Sequence, residues 1–77
     1  MTKIFILLKT KAGSEKTVKD SLKLIKEVVH AHLVAGAYDV IVQLEGDSFA
    51  ALKDVVLEKV RRVPNIMQSV TCPAVEM

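Results

Sequence analysis

Val28–Gly46 reads VVHAHLVAGAYDVIVQLEG, two apolar strands joined at Gly36-Ala37-Tyr38-Asp39. The runs on either side of the joint are apolar enough to be buried, Val28–Val34 before it and Tyr38–Glu45 after it. The joint itself offers a glycine, an aromatic ring and a carboxylate. A polar tip between two buried strands is a natural place to hold a small polar ligand.

Working outward, Ile4-Phe5-Ile6-Leu7-Leu8 is a short continuous run of strand formers ending at Lys9-Thr10-Lys11-Ala12-Gly13. Such a run, too short for a helix and bounded by turn chemistry, predicts a strand buried on both faces. Ser14 is placed as an N-cap with Glu15 in the first turn. Val18, Leu22 and Ile25 then recur at helical spacing, so a helix is expected from about Ser14 to Lys26.

After Gly46, Asp47 or Ser48 caps a second helix whose buried stripe is Phe49, Leu52, Val56 and Val60. Val63-Pro64-Asn65 stops it: the residue before proline avoids helical angles, and Asn65 tolerates a left-handed conformation. A last strand is expected over Ile66–Val75, and Pro73 within it argues for a sheet edge. The order β-α-β-β-α-β is that of an α+β, ferredoxin-like split βαβ sandwich: a four-stranded antiparallel sheet with two helices on one face. Residues 1–77 are expected to form a single domain.

An antiparallel sheet with one wet face should alternate polar and apolar residues. Here Phe5 and Leu7 stand against Ile4, Ile6 and Leu8, and Ile41 against Val40 and Val42. The face without helices must therefore meet something. Hydrophobic residues make up 51% of the 77-residue chain, more apolar surface than one small core hides easily. A sheet-to-sheet dimer is expected.

A net charge of +2, from 11 basic and 9 acidic residues, is too mild for a nucleic-acid footprint. Lys16, Lys19, Lys23 and Lys26 read as a solvated helical face. Cys72 is the only cysteine, so no intramolecular disulfide forms and a reducing compartment fits. No apolar run approaches the roughly 18 residues needed to span a bilayer, so a soluble, cytoplasmic protein without a membrane partner is expected.

His30-Ala31-His32 places two imidazoles on one strand face, about 7 Å apart. That could begin a metal site, but no Cys-x-x-Cys or acidic cluster supports one. A partly buried or interface histidine pair is the expected role. No glycine-rich nucleotide loop and no nucleophile–histidine arrangement is legible, and no cofactor is expected. Cys72, Phe5 and Phe49 read as packed residues. On physical grounds alone, Asp39 has an ordinary role as an acceptor for backbone N–H groups, and Tyr38 as a strand residue with a wet hydroxyl.

Gly36-Ala37-Tyr38-Asp39-Val40-Ile41-Val42 resembles the Gly-x-Tyr-Asp-hydrophobic signature of the effector-binding (RAM) domain of the Lrp/AsnC family. The likeness extends to Lys9–Glu15, similar to that family's strand-to-helix turn, to Val28–Gly36, similar to its second strand, and to Val56–Pro64, similar to its second helix and stop. The resemblance implies sheet-to-sheet dimers that associate further and bind amino acids or related small molecules between dimers. It implies ligand-binding roles for Gly36, Tyr38 and Asp39, with Asp39 pairing an α-ammonium group, and weaker roles for Gln68, Ser69 and Thr71 of the last strand.

Three departures stand out, one of them the ending Val70-Thr71-Cys72-Pro73, which departs from the family's apolar last strand and blurs the binding face there. The chain has no room for the helix-turn-helix domain of full-length members, so it resembles the stand-alone form and direct DNA binding is not expected. Asn65 stands where the family has glycine after proline. The expectation is an oligomeric regulatory module for an amino-acid effector, with a full-length Lrp/AsnC regulator as a candidate partner. The alternatives are a small ferredoxin-like dimeric enzyme of monooxygenase or isomerase type, using His30, His32 and Tyr38, and a purely structural oligomerisation domain.

Overall fold

The computed structural model describes residues 2–73. Its elements are β1 (Thr2–Thr10), α1 (Glu15–Lys23), β2 (Val28–Leu33), β3 (Val40–Gly46), α2 (Phe49–Val55) running on into a π-helical turn (Val56–Val60), and β4 (Ile66–Pro73). The four strands form one antiparallel sheet in the order β2-β3-β1-β4. This is the expected ferredoxin-like α+β fold.

Directly paired residues share a sheet face. Ile4, Ile6 and Leu8 stand opposite Leu44, Val42 and Val40. All six are fully buried, in one core with Val18 and Leu22 of α1 and with Leu52, Val56 and Val60. Both helices therefore cover this one face. The other face carries Phe5, Leu7, Ile41, Val70 and Cys72, all half-buried in the single chain. Strands one and three thus alternate between a sealed face and a partly open apolar one, and β1 is not buried equally on both sides.

Some boundaries shift. Helix α1 ends at Lys23, three residues short of the expected Lys26. Its last turn tightens through Leu24 N–H donating to the Ser21 carbonyl (3.2 Å) and Ile25 N–H to the Leu22 carbonyl (3.0 Å). Ser14 occupies the N-cap position but makes no side-chain cap bond, whereas Ser48 does cap α2, accepting from Ala51 N–H at 3.1 Å. Arg61 N–H donates to the carbonyl of Val56, five residues back, at 3.0 Å and closes the π turn.

Phe49 is 46% exposed and does not join the core. At 3.6 residues per turn the seven-residue step from Phe49 to Val56 closes to within about 20°, so helical period alone puts Phe49 on the buried stripe, and its exposure is set by what packs over the start of α2. Asn65 has φ 71°, the left-handed conformation expected after Pro64. Pro73 lies on the edge strand β4, as expected. Residues 74 and 75, the expected end of that strand, lie outside the described residues.

Candidate functional site

The β2–β3 connection runs over residues 34–39, and Tyr38 and Asp39 belong to it, not to strand three as expected. Asp39 explains the boundary. Its N–H donates to the Leu8 carbonyl (2.8 Å) and its own carbonyl accepts from Val34 N–H (2.9 Å). Its Oδ2 accepts from the backbone N–H of Thr10 at 2.9 Å, with the Thr10 hydroxyl 3.4 Å away. The carboxylate is thus spent in part on pinning the turn to the end of β1. A carboxylate has about four lone-pair sites, and among the described residues Oδ1 has no partner.

Gly36 is exposed with φ +132°, a conformation that residues with a Cβ rarely adopt. A Cβ there would meet nothing within 4 Å in the single chain. The glycine therefore serves the backbone of the turn and leaves open space above it. Tyr38 is half-buried beside it. These three predicted residues lie together in one turn at the end of the sheet.

The three predicted residues of β4 do not join them in one cavity. Ser69 and Thr71 pair with Leu8 and Ile6 and so lie on the helix face; Gln68 pairs with Lys9 and lies on the open face. Ser69 and Thr71 line a cleft of about 300 Å³ against α2 and its π turn, together with Phe49, Lys53, Leu57 and Arg61. Two cations and two hydroxyls over an apolar floor suit a small organic acid. Sequence reasoning missed Phe49, Lys53, Leu57 and Arg61 as lining residues. The signal available was the pair of cations at Lys53 and Arg61, two turns apart on the helix that packs over β4.

Ser69 and the turn are nonetheless at the same end of the sheet. The row Leu33–Val40–Leu8–Ser69 runs straight across it, so β3, where the turn ends, and Ser69 are two strand spacings apart, about 10 Å. A second, larger cleft of about 470 Å³ lies towards the other end of the β2–β3 hairpin, lined by Glu27, Glu45, Asp47 and Leu52. It holds none of the predicted residues. There Glu27 Oε1 is shielded from solvent, its nearest cation Lys59 Nζ at 3.6 Å.

The fold is that of a small ferredoxin-like α+β domain. The model of the Lrp/AsnC ligand binding domain matches residues 3–77, and the chain belongs to that family. It is similar in structure to the hypothetical protein PHS023 from Pyrococcus horikoshii, with 38% identity, a TM-score of 0.91, and coverage of 100% of this chain and 93% of that one. It is similar also to FFRP-DM1, with 39% identity, a TM-score of 0.90, and coverage of 97% and 100%. A transcriptional regulator from Neisseria meningitidis, NMB0573 in complex with L-Met, shares the fold at 14% identity and a TM-score of 0.82, over 97% of this chain and 50% of that one. No curated protein matches.

Proposed function

We propose that residues 1–77 act as one regulatory module that binds an amino acid at the Gly36–Asp39 turn and couples occupancy to assembly. One observation carries this reading: the turn and the hydroxyl of Ser69 lie at the same end of the sheet but do not converge on one cavity within a chain. Such a split supports a site completed between copies, where the turn of one meets a surface of another. A ligand bound there favours the assembled state by linkage. The fold shared with a regulator solved with L-Met supports an amino acid as the effector class.

In this reading Asp39 Oδ1 receives the α-ammonium group while Oδ2 keeps its bond to Thr10. Open space over Gly36 admits the ligand backbone. Dimers form through the open sheet face around Phe5, Leu7 and Ile41, whose burial is the main driving force for association. In this reading the module binds and does not catalyse, as its match to a ligand-binding domain suggests. It acts in the cytoplasm, through a full-length Lrp/AsnC regulator and not by binding DNA itself.

Calorimetric titration of the twenty amino acids, with sedimentation in parallel, tests this. Saturable binding that raises the oligomer and is lost in Asp39→Asn supports it. Binding unchanged in Asp39→Asn places the site elsewhere, and no binding by any amino acid overturns the effector class.

A further inference from the structure

His30 and His32 follow the β-bulge of β2 and pair with Gln43 and Ile41, which places both imidazoles on the open face of the sheet. Both residues are exposed in the single chain, so of the two expected roles partial burial does not hold. Their rings stack with centroids 5.8 Å apart and planes 20° apart. Among the described residues neither ring has a hydrogen bond or an ion pair, and Gln43, opposite His30, is already engaged with Glu45 at 3.0 Å. Because β2 is an edge strand, the pair sits at the rim of the open face and leaves its apolar centre on β3 and β1 clear.

We propose that His30 and His32 form a two-imidazole chelate for a divalent transition-metal ion. An ion held at about 2.0–2.1 Å by one nitrogen of each ring, in tetrahedral or square-planar geometry, brings the centroids to roughly 4.5–5 Å, so rotation of two exposed side chains closes the remaining gap. Once the first imidazole binds, the second acts at high effective concentration, and the pair binds far more tightly than either ring alone. Imidazole pairs without thiolate or carboxylate suit copper, nickel and zinc, with copper(II) bound most tightly. Cys72 shares the open face but lies on β4, three strand spacings or about 14 Å across the sheet from β2, too far to join the same ion. Water completes the coordination.

The test is titration of tag-free protein with Cu²⁺ alone, followed by calorimetry and by electron paramagnetic resonance. The expected result is one ion per chain with two nitrogen donors from imidazole. His30→Ala and His32→Ala each weaken binding at least tenfold, and the double variant is little weaker than either single one, because breaking the chelate once removes its advantage. Circular dichroism should show all three variants folded, since both side chains are exposed. Binding retained by the double variant, independent and additive losses in the single variants, or a single-nitrogen spectrum would overturn the proposal.

Discussion

Thr10 and Asp39, 29 residues apart in sequence, are joined at the end of the sheet by a bond from the Thr10 N–H to Asp39 Oδ2 at 2.9 Å. Thr10 is the one buried polar residue among those described, so this N–H has little access to water. The bond holds the β2–β3 turn against β1, and the same carboxylate is the proposed partner of the ligand's ammonium group.

Structural and ligand-binding roles of Asp39 separate by substitution. Asp39→Ala leaves the Thr10 N–H unsatisfied and should cost about 1–3 kcal/mol of stability in chemical denaturation. Asp39→Asn keeps a carbonyl acceptor for Thr10 and should lose less. Both should weaken amino-acid binding about tenfold or more by calorimetry, because the charge-assisted bond, worth about 1.5–3 kcal/mol, is gone. Asn binding as tightly as Asp would remove the proposed ion pair.

The two faces of β3 predict opposite outcomes for neighbouring residues. Val42 is fully buried against the helices, so Val42→Lys buries an unpaired charge and should unfold the chain. Ile41, on the open face, should tolerate lysine within a folded chain while the dimer weakens at least tenfold, about 1.4 kcal/mol. Circular dichroism and sedimentation distinguish the two. An Ile41→Lys protein that sediments like the wild type would move the interface off this face.

Gly36 and Asn65 both have positive φ, at 132° and 71°. Gly36→Ala forces a Cβ into a region that is nearly glycine-only and should destabilise by about 1–3 kcal/mol, from backbone strain alone, since nothing surrounds the added carbon. Asn65→Gly should be close to neutral, because the left-handed well it occupies suits both residues. Thermal unfolding of the two variants side by side checks the contrast.

Gly46 is required for a different reason. A Cβ there would lie 2.8 Å from Leu52 Cδ2 and 3.1 Å from its Cγ. Leu52 is fully buried, so it cannot swing away cheaply. Gly46→Ala should cost about 1–3 kcal/mol by overpacking, and Gly46→Ala combined with Leu52→Val should recover part of it in denaturant titration.

The sequence by itself determined the element order, the alternation of Ile4, Ile6 and Leu8 with Phe5 and Leu7, the helical stripe from Leu52 to Val60, and the left-handed stop at Asn65. Each is a local matter: period-2 and period-3.6 patterns and turn chemistry act between residues close along the chain. The likeness of Gly36–Asp39 to a known signature also made the candidate turn legible. Only the tertiary structure decided where Asp39 spends its carboxylate, that Phe49 falls outside the core, that Thr71 parts from Gln68 across the sheet, and that the histidine pair is open to solvent in the single chain. Those outcomes depend on β1 meeting β3 and β4 in one particular register, and on α2 widening into a π turn above β4. Contacts between residues far apart in the chain set both, and no short stretch of sequence encodes them.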